Sequence, residues 1–204
     1  MTVEIRPAGD AALLVTVADQ ATAHRLAAVL DRVAGVVDAV VGSGNVLVLV
    51  DPLGEDIADA VSAAATRSAA GEAAPVRMRD VEIPVVYDGE DLAEVAERTG
   101  LSVADVIRRH ADGRYTVDFI GFSPGFGYLS GLDAALHLPR RDTPRPRVPA
   151  GTVAIAADMT CIYPQATPGG WWLIGRTDAV LFDPERDPPA LLTAGDAVRF
   201  APAP

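Results

Sequence analysis

The N-terminal part of the chain carries two different hydrophobic periods in turn. Apolar residues recur every three to four positions over Gln20–Ala34 and Glu55–Ser68, which predicts two amphipathic helices. Short aliphatic runs predict strands at Ala11–Val17, Val36–Val41, Asn45–Val50 and Val81–Tyr87. In chain order these elements read β-α-β-β-α-β, which is the order of a ferredoxin-like split βαβ unit. We therefore predict an N-terminal α+β domain.

A stretch of small and polar residues separates this part from the rest. Ser68–Pro75 reads SAAGEAAP and has no helical or strand period, so it is a candidate linker, with a surface loop inside one domain as the alternative. Asp51–Gly54 supplies a turn at the start of the second helix. We expect an α+β domain over residues 1–80 and a second domain over residues 81–204.

The second domain is predicted to begin with two short helices and to continue as strands. The helices are Asp91–Thr99 and Ser102–His110, and each first residue is a candidate cap because an acidic residue follows three positions later. Gly100 can adopt the left-handed conformation that ends the first helix. Strands are predicted at Tyr115–Ile120, Thr152–Ala156, Cys161–Tyr163, Trp171–Gly175, Ala179–Phe182 and Ala197–Phe200. Short strands with Gly and Pro between them indicate a closed all-β body.

The charge balance excludes several classes of function. The chain has 28 acidic and 17 basic residues, a formal net charge of −11, and no lysine. It cannot supply the lysine of a P-loop or of a Schiff base, and its acidity argues against nucleic-acid binding. Cys161 is the single cysteine, so an internal disulfide or a cysteine-cluster metal site is excluded. With no apolar run long enough for a membrane span and no signal pattern, we expect a cytoplasmic protein without metal.

Glycines and aromatic residues alternate over Gly121–Gly131, GFSPGFGYLSG. Its first five residues match the G-x-S-x-G nucleophile elbow, but Pro124 follows the serine and has no backbone N–H for an oxyanion hole. A serine hydrolase is therefore not expected. The aromatic residues Phe122, Phe126 and Tyr128 suit a ligand-facing loop, and a tight barrel corner with these rings in the core is the alternative.

Leu138–Pro149, LPRRDTPRPRVP, concentrates positive charge in this acidic chain. Its prolines favour an extended backbone, and guanidinium groups bind carboxylate or phosphate through two parallel hydrogen bonds. We expect an anion site or a docking arm, or alternatively a solvated rim that pairs with Asp133 and Asp142. The arginines of this segment are Arg140, Arg141, Arg145 and Arg147.

Two tryptophans and one histidine add to the candidate site. Trp171 and Trp172 follow a Pro-Gly-Gly turn, and neighbours in a strand face opposite sides, so one can enter the core while the other faces a groove. His110 continues the apolar stripe of its helix and should point inward, either as a core residue or as an acid or base.

Taken together, these segments resemble the KipI family, whose members are also called allophanate hydrolase subunit 1 or the B subunit of 5-oxoprolinase. The resemblance is carried by Gly9–Leu14, Asp91–Ala96, Thr99–Ser102, Gly121–Phe126, Pro139-Arg140, Pro144-Arg145, Ile162–Pro164, Pro168–Trp171 and Ile174–Thr177. The chain departs from the family pattern Ala-Gly-x-Gln-Thr-Gly over Ala156–Cys161. Met159 stands at the glutamine position and cannot form its hydrogen bonds.

The resemblance implies both a fold and a reaction. It implies an N-terminal α+β domain followed by a cyclophilin-like β-barrel. It also implies one component, inactive alone, of an ATP-dependent 5-oxoprolinase that hydrolyses 5-oxo-L-proline to L-glutamate. The partners would be the KipA-like C subunit and the LamB/YcsF-like A subunit of that enzyme, and ATP would be bound with or by them. The alternatives are a KipI-type inhibitor of a sensor histidine kinase, a carboxyltransferase-type component of a urea or allophanate pathway, and a prolyl isomerase suggested by the fold alone.

The hypothesis for the site places the small lactam ring in an aromatic groove. Phosphorylation of the lactam oxygen would activate the ring carbon for attack by water, while arginines fix the carboxylate or developing phosphate and a histidine shuttles a proton. The expected catalytic residues are His110, Arg145, Arg147 and Tyr163. The expected substrate-binding residues are Gly125, Phe126, Tyr128, Met159, Gly170 and Trp171.

Overall fold

The computed structural model of the chain describes residues 3–51, 57–71 and 79–204. The chain divides into two compact units, Met1–Arg77 and Met78–Pro204. Most of the predicted turn Asp51–Gly54 and the second half of the predicted linker Ser68–Pro75 lie outside the described residues. The linker and the domain boundary at residue 80 therefore stay predictions.

The first unit is a four-stranded sheet with two helices. Its elements are β1 (Glu4–Pro7), β2 (Ala12–Thr16), α1 (Gln20–Leu30), β3 (Val36–Gly42), β4 (Asn45–Val50) and α2 (Ala58–Ala69). The strand order is β1-β2-β4-β3, and every neighbouring pair is antiparallel. Asp19 caps α1 by accepting a hydrogen bond from the Thr22 N–H at 2.7 Å. The core joins one face of the sheet to the helices through Val15, Leu26, Leu30, Val46, Val48 and Val61.

The strand predicted at Val81–Tyr87 is real but belongs to the second unit. There β5 (Asp80–Val85) pairs in parallel with the last strand, so its assignment to the ferredoxin-like unit was wrong. The edge beside β2 is occupied instead by β1, which pairs with β2 in antiparallel register. An aliphatic run predicts a strand, but its partner is decided by tertiary contacts. The run EIRP is too short and too polar to be recognised as a strand from its pattern.

The second unit is built on a seven-stranded sheet in the order β12-β9-β10-β7-β6-β13-β5. A separate two-stranded ribbon pairs β8 with β11. After β5, the elements are α3 (Leu92–Thr99), α4 (Val103–Ala111), β6 (Tyr115–Ile120), β7 (Gly127–Ser130), a 3-10 turn (Ala134–Leu136), β8 (Arg145–Val148), β9 (Thr152–Ala156), β10 (Met159–Ile162), β11 (Thr167–Gly169), β12 (Trp172–Arg176) and β13 (Ala197–Pro202).

The seven-stranded sheet nearly closes on itself. Just after β5, Val86 forms an antiparallel bridge to Arg176 at the end of β12, with N···O distances of 2.9 and 2.8 Å. This contact joins the two edge strands, and the barrel-like body agrees with the predicted closed all-β body. The core inside it includes Ile83, Tyr115, Leu129, Ile155, Ile174 and Phe200.

The helix caps are partly as predicted. Gly100 ends α3 with a φ of 69°, and the Ser102 hydroxyl accepts a hydrogen bond from the Asp105 N–H at 3.0 Å. Asp91 stands at the N-cap position of α3 as predicted, but its side chain makes no capping hydrogen bond. No helix among the described residues is long and apolar enough to cross a membrane.

Two further segments differ from their predicted structure. Ala179–Phe182 is not a strand, and only the single bridge between Phe182 and Ala190 forms there. Gly121–Gly131 is a hairpin turn that leads into β7, not a loop along its whole length. The short strands β7, β8 and β11 contain glycine or proline, and such residues weaken the pattern from which strands are predicted.

Candidate functional site

The hairpin between β6 and β7 presents two phenylalanines in different ways. Its turn is closed by hydrogen bonds from the Gly121 N–H to the Phe126 carbonyl at 3.1 Å and from the Phe126 N–H to the Ser123 carbonyl at 3.0 Å. Phe122 has a φ of 66° and is 62% exposed, whereas Phe126 is 2% exposed. Gly125 has a φ of 78°, and a Cβ there would lie 2.8 Å from the Phe182 Cβ. Glycine is therefore required where this turn meets its neighbour.

Behind this turn lies a cavity of about 260 Å³ with aromatic walls. The Phe126 ring is central, because its centroid lies 5.0 Å from that of Tyr128, 5.3 Å from that of Tyr163 and 6.5 Å from that of Trp171. Such a cavity can take a small ring against an aromatic wall. The lining residues are Phe122, Phe126, Tyr128, Arg140, Pro144, Tyr163, Pro168, Gly169, Gly170 and Trp171.

The polar groups of this aromatic cavity are two phenols and one guanidinium. Burial raises the pKa of Tyr163 and of Tyr128 above the ordinary value, so both hydroxyls keep their protons at neutral pH and can donate hydrogen bonds. A Cβ at Gly169 would overlap the Tyr163 hydroxyl, so only glycine fits beside it. Arg140 lies with its guanidinium carbon 5.7 Å from the Trp171 ring centroid, and it is the one charged lining residue in the described part of the chain.

The segment that carries Arg140 is anchored by a buried carboxylate. Asp91 accepts hydrogen bonds from Arg145 at 2.6 Å, from Arg141 at 3.0 Å and from the Leu173 N–H at 2.8 Å. Its side chain is only 4% exposed. The Trp172 Nε1–H donates to the Pro139 carbonyl at 2.7 Å, at the start of the same segment. We call residues 139–148 the arginine strap, because these contacts fasten it to Asp91 and to Trp172 of β12.

Comparison with known proteins gives a family for this fold and cavity. Residues 3–192 match the family described as carboxyltransferase domain, subdomain C and D. The B subunit of 5-oxoprolinase from Escherichia coli O157:H7 is 46% identical over 92% of this chain and 88% of its own length. The chain belongs to the family of 5-oxoprolinase B subunits.

Two further relatives differ in length from this chain. The B subunit of 5-oxoprolinase from Bacillus subtilis (strain 168) is 51% identical over 61% of this chain, a match that spans about half (53%) of that relative. The crystal structure of TTHA0988 is 40% identical with a TM-score of 0.78, and it covers 98% of this chain. This chain spans about two fifths (40%) of TTHA0988, so the same fold is also found within a longer polypeptide.

The structure brings some of the predicted site residues together. Phe126, Tyr128, Tyr163, Gly170 and Trp171 line the aromatic cavity, and Met159 packs against the same cluster without lining the cavity. Gly125 supports the turn behind Phe126 and does not line the cavity either. The predicted role of each of these residues in binding substrate stays a prediction.

The predicted arginines lie elsewhere. Arg145 makes ion pairs with Glu90 and Asp91, so its charge is already paired within the strap. Arg147 is exposed and lines a different cavity of about 390 Å³, which it shares with Asp88, Glu90 and Arg176. The local partners predicted for the arginines, Asp133 and Asp142, were wrong. Arg109, outside the strap, pairs with Asp133, while no ion pair joins Asp142 to the strap among the described residues.

His110 lies in the barrel core. It is fully buried, its Nδ1 lies 2.8 Å from the Tyr87 hydroxyl, and its Nε2 lies 2.9 Å from the Thr160 hydroxyl. Its ring stacks on Phe200 with a centroid distance of 4.6 Å. Burial lowers the pKa of His110 to about 3, so the ring is neutral. Its role as a proton shuttle stays a prediction. These surroundings agree with the other expectation from the sequence, a histidine that packs in the core.

Sequence reasoning missed two residues that shape the site. Arg140 was one of four similar arginines in the strap, and nothing in the pattern separated it from Arg145 or Arg147. Asp91 was interpreted as a helix cap because it precedes α3. The adjacent pairs Arg140-Arg141 and Trp171-Trp172 were the available signal, since neighbours on extended segments face opposite sides. Among the described residues, no group of three or more His, Cys, Asp or Glu side chains could hold a metal ion.

Proposed function

We propose that this chain is the substrate-binding part of a 5-oxoprolinase, a complex that hydrolyses 5-oxo-L-proline to L-glutamate with ATP. Membership of the family of 5-oxoprolinase B subunits and the name of the relative from E. coli, which shares 46% identity, support this proposal. The partners in this proposal are a KipA-like C subunit and a LamB/YcsF-like A subunit, and the complex works in the cytoplasm. We also assign the two units to the ferredoxin-like and cyclophilin-like classes, on the antiparallel four-stranded sheet and the nearly closed barrel.

The observation that carries the proposal is the aromatic cavity with one cation. The substrate, 5-oxoproline, is a five-membered lactam with one carboxylate. Its flat amide can lie against one of the aromatic rings that line the cavity, while the Tyr163 hydroxyl donates a hydrogen bond to an oxygen of the ligand. Binding and orientation of the lactam are the steps that this chain's own residues can perform.

The aromatic cavity does not fit ATP. The aromatic cavity of about 260 Å³ offers one guanidinium to a triphosphate, and the chain has neither lysine nor a glycine loop with phosphate-binding spacing. ATP would supply the activation that a resonance-stabilised amide needs before water can open it. We therefore assign ATP binding to the partner proteins.

Reconstitution tests the proposed function directly. The chain is combined with its LamB/YcsF-like and KipA-like partners, and glutamate release from 5-oxoproline is measured with and without ATP. We expect glutamate only from the complete mixture with ATP, and none from this chain alone. Turnover that persists when this chain is left out, or turnover by this chain alone, would contradict the proposal.

A carboxyltransferase-type component is the second candidate, and the description of the matched family favours it. In that case the cavity would hold urea or a similar small amide that accepts a carboxyl group. The same complex, supplied with urea and a carboxylated biotin carrier, discriminates the two functions. Transfer of labelled carboxyl to urea without any release of glutamate would favour this second candidate.

A further inference from the structure

Two neighbouring arginines of the strap lie over two neighbouring tryptophans. The Arg141 guanidinium lies 4.7 Å from the Trp172 ring centroid, and that of Arg140 lies 5.7 Å from the Trp171 ring centroid. Trp171 lines the aromatic cavity, whereas Trp172 packs in the barrel core. The arrangement therefore places two similar cation–aromatic pairs in different surroundings.

The two pairs differ in what neutralises the arginine. Arg141 donates to Asp91 at 3.0 Å and to Glu94 at 3.2 Å, so two carboxylates of the chain balance its charge. Arg140 makes no ion pair with any carboxylate in residues 3–51, 57–71 or 79–204. It lines the aromatic cavity, where it is the one charged residue of the described lining, and it also borders a cavity of about 250 Å³ that Glu94 and Asp142 line without pairing with it. A guanidinium over an aromatic face, beside a cavity and without its own carboxylate, is suited to bind a carboxylate from outside.

We propose that Arg140 binds the carboxylate of the substrate and thereby makes the cavity select cyclic amides that carry a carboxylate over those that lack one. This inference rests on the proposed function for the identity of the lactam. The aromatic rings contact any five-membered lactam equally, so they cannot supply this selectivity. The single charge in the lining matches a ligand with a single negative charge.

The strap gives Arg140 a defined position before substrate arrives. Arg141 and Arg145, on either side of the Pro144 that lines the cavity, are both bound to Asp91. The Arg141 N–H also donates to the Gly170 carbonyl at 2.9 Å, which joins the strap to the cavity wall. A backbone held in this way reduces the ordering cost of binding, and the Trp171 ring supports the guanidinium from one side.

The experiment is a cycle of two enzyme forms and two substrates. The complete complex is made with the native chain or with Arg140→Gln, and it is assayed with 5-oxoproline and with 2-pyrrolidinone, the same lactam without the carboxylate. We expect Arg140→Gln to lower kcat/KM for 5-oxoproline about ten-fold to one-hundred-fold, because one charge-assisted hydrogen bond contributes about this much. Most of the change should be in KM. The kcat/KM for 2-pyrrolidinone should stay within about two-fold of native. Arg140→Lys should recover part of the loss, because it keeps the charge without the fork.

A matched control and a second readout complete the test. Arg199→Gln is the control, because it also removes one arginine charge. Arg199 pairs with Glu82 at the surface, and 50% of its side chain is exposed, so kcat/KM should stay unchanged for both lactams. Equal losses for both lactams would overturn the inference, since Arg140 would then act on a phosphoryl group or on the fold. An unchanged KM for 5-oxoproline would also overturn it.

Binding measurements separate this inference from the proposed function. Saturation-transfer NMR on the full chain, alone and in the complex, compares 5-oxoproline with 2-pyrrolidinone without any turnover. A preference for 5-oxoproline that disappears in Arg140→Gln would support the inference, even if the complex releases no glutamate. The lack of glutamate release would refute the proposed function only. Equal binding of the two lactams by the native chain in both settings would refute the carboxylate role of Arg140.

Discussion

Replacing Asp91 by asparagine should loosen the strap that carries Arg140. The native carboxylate neutralises Arg141 and Arg145 and accepts the Leu173 N–H, while its side chain is 4% exposed. Asparagine can still accept the Leu173 N–H, but it has no charge and then turns its amide N–H₂ toward both guanidinium groups, because Arg141 and Arg145 bind the same oxygen of Asp91. The change is therefore small in volume and removes mainly the charge.

The expected magnitude follows from the burial of the two arginines. Removing one partner of a buried ion pair costs about 3–5 kcal/mol. Here the side chains of Arg141 and Arg145 are 27% and 21% exposed, and they also contact Glu94 and Glu90 respectively. We therefore expect the lower end, about 3 kcal/mol, for Asp91→Asn. For a chain of this size that loss lowers the Tm by about 6–12 °C.

Urea unfolding and thermal melts of the full chain measure this effect, and kinetics of the complex measure its consequence. Because the strap positions Arg140, the KM for 5-oxoproline should also rise. Asp88→Asn is the control, since Asp88 and Arg176 form a pair that is 47% and 55% exposed, which should cost less than about 1 kcal/mol. If Asp91→Asn costs no more than Asp88→Asn, the strap is not held by this carboxylate.

Three further predictions concern pH, the cavity mouth and the linker. His110 is neutral in the fold and binds a proton once unfolded, so falling pH favours the unfolded chain. Lowering the pH from 7.5 to 5 should therefore reduce the free energy of unfolding by about 2 kcal/mol through this group. Urea unfolding should show that His110→Phe lacks this part of the pH dependence, and an equal pH dependence of the two proteins would contradict the prediction. Phe122→Ala, at a ring 62% exposed, should leave the Tm unchanged and raise the KM for 5-oxoproline a few-fold, whereas an unchanged KM would remove this ring from the site. Limited proteolysis should cut near Gly71 and leave a folded C-terminal fragment, and uniform resistance there would refute an exposed linker.

Local pattern was a good guide wherever an element is stabilised by its own residues. The strands Tyr115–Ile120 and Thr152–Ala156 were predicted with the bounds that the structure shows, because both are short runs rich in β-branched or aromatic residues. Gly100 and Ser102 were recognised because caps and left-handed turns depend on a few adjacent residues. Where strands pair with distant parts of the chain, the pattern did not predict the partner. The strand that begins at residue 80 was predicted, but it was assigned to the wrong unit because it pairs with β13.

For the site, the sequence by itself determined the inventory of groups and the aromatic part of the cavity. The Gly-aromatic run, the Pro-Gly-Gly turn and the arginine strap were all visible as local composition, and the rings of Phe126 and Trp171 do share one cavity. The sequence also excluded lysine chemistry and cysteine-cluster metal sites, because these depend only on which residues exist.

Only the tertiary structure decided which charge is available to a ligand. Four arginines in one strap are equivalent as sequence, but Asp91, far away in the chain, neutralises Arg141 and Arg145 and leaves Arg140 facing the cavity. The same holds for His110, whose neutral state results from its burial against Phe200, Tyr87 and Thr160. The physical reason is that charge pairing and desolvation act through space, so they depend on neighbours that the order of residues does not reveal.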